Sequence, residues 1–216
     1  MSHAFMSPPN AARFVLCNAT VPAVTLSGFK APSSDGLVRA DIVVADGLIS
    51  NILVPGTAPV EYAKVDMRDG MVWPTFADMH THLDKGHIWE RRSNPDGSFM
   101  GALDAVRTDR EANWSAEDVR KRMEFSLRSA YAHGTGLIRT HLDSLAPQHR
   151  ISFEVFASIR EAWKDKIALQ AVALFPLDSM VDDAFFADLL RVVRSAGGLM
   201  GGVTQMNPDI DAQLDK

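Results

Sequence analysis

From residue 71 onward, apolar runs alternate with amphipathic stretches at a nearly fixed spacing, and this alternation limits the fold more than any other feature. The runs "MVWPTFADMH", "TGLIRTHLD", "KIALQAVALFP" and "GLMGGVTQM" start strands near residues 76, 136, 167 and 199. Between them, "WSAEDVRKRMEFSLRSAYAHG", "ISFEVFASIREAWKD" and "VDDAFFADLLRVVRSAGG" have helical periodicity. The last two strand intervals are about 30 residues, the length of one β-α unit, and strand–helix–strand repeats at that spacing imply a parallel sheet. The first run is almost continuously apolar, as in a strand buried on both faces. The helix after it carries Ser115 as an N-cap, Asp118 three residues on, and Gly134 at its end. Two architectures fit, an open doubly wound sheet and part of a β/α barrel. No glycine-rich phosphate loop follows any strand, which counts against the nucleotide-binding version of the first.

The preceding residues read differently. "RFVLCNATVP" and "LVRADIVVADGLISNILVP" are β-branched runs broken by Pro, Gly, Asn and Asp, and Asp46-Gly47 stands between two strands as a two-residue hairpin signal. "KVDMRDGMVWP" repeats the strand-then-turn pattern. The expected organisation is a disordered N-terminus over 1–10, a small β-layer over 11–70 with a loop at 27–36, and the β/α region over 71–216. Within the last, "ERRSNPDGSFMGAL" (90–103) is too long for a simple connection and reads as a loop over a site.

Charge and cysteine content narrow the function classes. The net charge is −5 and no Lys/Arg stripe is present, which argues against nucleic acid or an anionic membrane as partner. Cys17 is the only cysteine, so neither a disulfide within the chain nor a thiolate cluster can form. "MSHAFMSPPN" lacks the layout of a signal peptide, and no apolar run is long enough to span a bilayer. A cytoplasmic protein is the expectation.

Chemistry concentrates in "FADMHTHLDK", residues 76–85. His80 and His82 lie at the C-terminal end of the first parallel strand. Residues two apart on a strand share a face, and in a barrel that face lines the active-site mouth. Two neutral imidazoles there can bind Zn²⁺ or Fe²⁺ as neighbouring ligands and leave positions for further ligands and a water. His-x-His alone is a weak signal. Asp78, the strand-end position and the buried run before it strengthen it.

"Trp73-Pro74-Thr75-Phe76-Ala77-Asp78-Met79-His80-Thr81-His82-Leu83-Asp84" resembles the first-strand motif of the amidohydrolase superfamily, P-G-F-x-D-x-H-x-H. "Ile138-Arg139-Thr140-His141-Leu142-Asp143" is similar to the second-strand R-T-H-x-D element of its cytosine deaminase-like branch. "Leu169" to "Pro176" resembles the third strand, and "Val203" to "Asp209" sits where that branch has its fourth. The resemblance covers residues 40–216 and implies an α/β fold: about the first four β-α units of a (β/α)8 TIM barrel, preceded by part of a small accessory β-sandwich. It implies one divalent metal ion, Zn or Fe, with His80 and His82 as ligands. Arg139, His141 and Asp143 would line or brace the site. The plainer reading simply pairs Arg139 with Asp143 to satisfy buried charge. Lys85 reads as a surface or loop charge, because the superfamily's bridging lysine lies on a later strand. His87, His133 and His149 have no supporting context. Trp89 and Phe99 are placed either to close over a ring-shaped substrate or to pack their own loop.

Two residues depart from the pattern. Thr75 replaces the usual glycine, and Leu177 stands where cytosine deaminases place a glutamine that bonds the pyrimidine. A leucine leaves that polar edge unmatched, so the implied substrate is another cyclic amide, amidine or N-substituted heterocycle. The implied reaction is metal-dependent hydrolysis of a non-peptide C–N bond with release of ammonia. The third metal histidine, the acid/base Glu, the second catalytic His and the metal-binding Asp belong to strands five to eight of the family. The chain therefore reads as a truncated N-terminal half without catalytic residues of its own, inactive alone, with unpaired strand edges that favour self-association into a homo-oligomer. Two alternatives stay open: release of an N-alkyl amine from a triazine-like ring, and a non-catalytic β/α binding domain.

Overall fold

A computed structural model describes residues 7–29 and 34–216. Residues 1–6 of the expected disordered N-terminus and residues 30–33 of the expected loop lie outside the described residues. The chain divides into two compact units, Met1–Pro74 and Thr75–Lys216.

The first unit is a four-stranded sheet of order β3-β2-β1-β4. β1 (Arg13–Pro22) runs antiparallel to β2 (Leu37–Ala45), which runs antiparallel to β3 (Leu48–Leu53). β4 (Ala63–Asp66) joins β1 in parallel. Asp46 and Gly47 have φ of 53° and 79°, the left-handed pair that a type I′ hairpin turn demands. The β1–β2 register shifts between Leu16 and Ala19. There the Asn18 N–H donates to Asp41 Oδ1 at 2.9 Å, and Asp41 Oδ2 accepts from the Gly56 N–H at 2.9 Å. The buried Asp41 carboxylate is thus satisfied by two backbone donors.

The second unit carries a three-stranded parallel sheet: β5 (Phe76–Thr81), β6 (Thr135–Asp143) and β7 (Ala168–Leu174), in that order. α1 (Phe99–Asn113) and α2 (Ala116–Ala132) link β5 to β6, α3 (Gln148–Trp163) links β6 to β7, and α4 (Asp183–Ser195) and α5 (Ile210–Leu214) follow. α2 begins as the sequence indicates, with Ser115 Oγ accepting the Asp118 N–H at 3.2 Å, and Gly134 follows its end at φ 83°.

Ile138 and Leu142 of β6 and Leu169, Ala171 and Ala173 of β7 share one core with Met123 and Leu127 of α2, Phe153, Phe156 and Ile159 of α3, and Leu189 of α4. Helices therefore cover one face of the sheet. Arg139, His141 and Asp143 belong to the opposite face, because strand side chains alternate. Gln170 and Val172 pair with Arg139 and His141 across it.

Three elements differ from the sequence expectation. The stretch 90–103 is only partly loop, because α1 starts at Phe99. Ser98 caps α1 by accepting the Gly101 N–H at 2.9 Å. β5 is not buried on both faces: Phe76 and Met79 are 55% and 74% exposed. It is an edge strand paired to β6 alone, and α2 and α3 pack on β6 and β7 instead. The fourth strand is reduced to two parallel bridges, Val172↔Leu199 and Pro176↔Val203. Close approach accounts for its glycines. A Cβ on Gly201 would lie 2.5 Å from Val172 Cγ1, and one on Gly202 would lie 2.3 Å from Leu177 Cδ2.

Phe156 is fully buried, whereas Phe125 is 61% exposed. Phe156→Ala is expected to lower unfolding stability by about 3–5 kcal/mol. Phe125→Ala is expected to change it by less than about 0.5 kcal/mol. Urea unfolding of the 216-residue chain measures both, and equal losses would contradict this core.

Candidate functional site

Three imidazoles meet at the C-terminal ends of β5 and β6. The β5–β6 register shifts between Asp78 and Thr81, where β5 takes one more residue than β6, and a bulge of this kind re-aims the side chains beside it. The His80 N–H donates to Asp78 Oδ1 at 3.1 Å. The His80 and His82 rings stand edge to face, with centroids 5.3 Å apart and planes at 76°. Two imidazoles sharing a tetrahedral ion at about 2.0–2.1 Å would place their centroids about 5 Å apart, so this pair fits as neighbouring donors.

His82 Nδ1 lies 3.0 Å from the His141 carbonyl oxygen. A carbonyl only accepts, so Nδ1 carries the proton and Nε2 keeps the lone pair a metal needs. Burial, then the charge of Lys85, holds His82 below the ordinary imidazole pKa and favours the neutral ring. His141 stacks on His80 at 4.0 Å and 22°. Nearly parallel rings aim their in-plane lone pairs side by side, not at one point, so His141 neighbours the pair without closing a set with His80. Its Nδ1 is buried without a partner, and burial, then proximity to His80, lowers its pKa. Among the described residues, no three or more His, Cys, Asp or Glu side chains form a group able to hold a metal ion. The donor set on these residues is partial.

No protein-family model matches the chain. Pterin deaminase of Rhizobium rhizogenes (strain K84 / ATCC BAA-868) is 86% identical over 216 residues, which is 100% of this chain and 49% of that protein. N-isopropylammelide isopropyl amidohydrolase of Pseudomonas sp. (strain ADP) is 26% identical over 195 residues, 83% of this chain and 47% of that one. Among solved structures, 5-methylcytosine deaminase from Klebsiella pneumoniae superposes with a TM-score of 0.61 at 19% identity, covering 88% of this chain and 50% of its own. The chain is similar to a pterin deaminase and to an amidohydrolase. Its relatives and structural neighbours are deaminase and amidohydrolase enzymes, and it spans about half the length of the curated relatives it matches.

Around the histidines, the chain arranges charge differently from the sequence expectation. Lys85 lies in the turn after β5, as a loop charge would, but not on the surface. Its side chain is 18% exposed, and Nζ meets Asp143 Oδ1 at 2.8 Å. Arg110 of α1 takes the other oxygen, Nη1 to Oδ2, at 3.0 Å. Arg139 does not pair with Asp143 and donates from Nε to Gln170 Oε1 at 2.9 Å. Four residues of strand span about 13 Å, too far for the Arg139–Asp143 pair, whereas α1 brings Arg110 alongside. Leu177 packs into the helix-side core, and Trp89 is 64% exposed between β5 and α1. His133 Nδ1 donates to the Ser129 carbonyl at 2.7 Å at the end of α2, and His149 Nε2 contacts Asp188 Oδ2 at 2.8 Å. His87 Nε2 lies 3.0 Å from Ser126 Oγ.

Asp84, Lys85 and Arg110 were missed as site-building residues. Asp84 and Lys85 had a signal, two charges directly after an apolar strand and its histidines. Arg110 had none, because only the course of α1 brings it to Asp143. Asp84 is fully buried; burial, then the charge of Asp143, pushes its carboxyl up to about 7.

Two measurements follow. Lys85→Met and Arg110→Met each leave Asp143 one cation, and the double variant leaves it none. The double variant is expected to lose more stability than the two single losses combined, by about 1–3 kcal/mol in a double-mutant cycle; additive losses would mean that the two cations do not share one carboxylate. For Asp84, the pKa is raised from 3.8 to about 7 in the folded state. Its contribution to stability is therefore complete below pH 3.8 and lost as pH rises through about 7. Asp84→Asn, which does not titrate, should remove that downward slope from a plot of unfolding free energy against pH. An unchanged slope would contradict the assignment.

Proposed function

We propose that these residues form the metal-holding part of a (β/α)8 hydrolase that removes ammonia from a pterin-like fused heterocycle. The observation that carries the reading is the His80/His82 pair: edge to face at 5.3 Å, with His82 Nδ1–H committed to the His141 carbonyl and Nε2 left as a donor. His80 and His82 would hold a single Zn or Fe ion. When bound, such an ion supplies a Lewis acid and an activated water for attack on the amidine carbon.

The chain's own residues do the rest of the positioning. His141 backs His80 by stacking. Lys85 and Arg110 neutralise Asp143 beside it, and this fixes the end of β6. The remaining metal donors and the group that protonates the leaving ammonia come from residues outside this stretch, which accounts for a donor set of two.

Coverage of only one sheet face supports the barrel reading, because a doubly wound sheet is covered on both faces. The open face would then look into the barrel, and the four-stranded sheet of residues 13–66 would be part of the accessory β-sandwich. The substrate class draws support from the 86% identical pterin deaminase. It also draws support from Leu177, which packs in the core and offers no amide to a cytosine edge. Release of an N-alkyl amine from a triazine-like ring is the second reading, favoured by the relative at 26% identity.

The test is a chimera in which this chain replaces the matching stretch of the Rhizobium rhizogenes pterin deaminase. It is expected to retain about one divalent metal and to release ammonia from pterin. His80→Ala or His82→Ala should each lower kcat/KM by more than about 100-fold, with loss of the metal. Alkylamine release from an N-alkyl triazine without pterin turnover would favour the second reading. A well-folded chimera that binds no metal would overturn both.

A further inference from the structure

β5 leaves the sheet after Thr81, yet the next three residues still hold β6, now partly through side chains. The His82 ring donates from Nδ1 to the His141 carbonyl at 3.0 Å. The Leu83 N–H donates to Thr140 Oγ1 at 2.9 Å. Asp84 Oδ2 accepts the Asp143 N–H at 2.8 Å and lies 3.3 Å from Ser152 Oγ of α3. His82 and Asp84, two residues apart, thus grip the carbonyl and the N–H on either side of Leu142, as backbone groups do in a regular parallel ladder. Asp84 is fully buried, and its own carbonyl accepts from Arg122 Nη1 of α2. One residue therefore ties α2, α3 and the end of β6 to the turn behind His82.

We propose that Asp84 is the positioning residue that sets the tautomer of His82. Its carboxylate fixes the His141–Asp143 segment so that the His141 carbonyl faces His82 Nδ1. The ring must then carry its proton on Nδ1 and present Nε2 bare. The consequence for metal holding rests on the function proposed above; the tautomer itself does not.

The experiment is metal-free. The imidazole nitrogens of His82 are read by long-range ¹H–¹⁵N correlation on the labelled 216-residue chain at pH 8, where an ordinary imidazole is neutral. In the wild type, Nδ1 is expected at the protonated, pyrrole-like position and Nε2 at the bare, pyridine-like one. Asp84→Asn keeps an acceptor for the Asp143 N–H and should keep that pattern. Asp84→Ala should move the Nδ1 signal towards the pyridine-like position as the ring exchanges tautomers. Thr140→Val loosens the same turn without touching Asp84 and should leave the pattern unchanged, which separates positioning from general destabilisation. An unchanged Nδ1–H signal in a folded Asp84→Ala chain overturns the proposal. If Asp84→Ala does not fold, Asp84→Asn decides it: loss of the Nδ1–H pattern there overturns the proposal and its retention supports it. A chain that meets these expectations while the chimera binds no metal would refute the proposed function and leave this inference standing.

Discussion

The organisation of the β/α unit depends on how β5 is released from the sheet. A parallel ladder ends where one strand departs, and the freed N–H and carbonyl groups of its neighbour must find other partners. Here the His82 and Asp84 side chains supply them at the His141 carbonyl and the Asp143 N–H, while Thr140 Oγ1 accepts the Leu83 N–H. The two side-chain bonds that close off the ladder also fix the direction of an imidazole and bury a carboxylate. Structural satisfaction and functional geometry are one set of contacts, so neither can be changed alone.

Around that set the charges are balanced within a small space. Asp143 is held between Lys85 and Arg110, and Arg110 reaches it from a helix that follows a stretch the sequence marks as loop. Asp84, a second carboxylate in the same cluster, has one oxygen without a partner, and its raised pKa follows from burial beside Asp143. The neutral state of His82 comes from the same environment, because burial and a nearby cation both oppose a positive ring.

Much of the fold was legible in periodicity and punctuation. Asp46-Gly47 has the positive φ pair of its turn, Ser115 and Gly134 bound α2, and three parallel strands lie at the spacing that the apolar runs announce. The exposure of β5 was not legible, since an apolar run reads the same whether or not neighbouring layers cover it. Nor was the reduction of the fourth strand to two bridges, since an apolar run reads the same whether it pairs along its length or at two points. At the site, the His80–His82 pairing was visible as a spacing, but the stacking of His141 on His80 was not, because it depends on the β5–β6 register shift.

The sequence by itself determined which residues form strands and helices, where the turns fall, and that two histidines and several charges gather at the end of one strand. Those are consequences of local backbone preference and side-chain period. Only the tertiary structure decided which charge neutralises which, which nitrogen of His82 carries the proton, and which face of the sheet stays open. Those depend on distances between segments far apart in the chain: Asp143 finds Lys85 and Arg110 instead of Arg139 because packing, and not sequence proximity, sets the reach of a side chain.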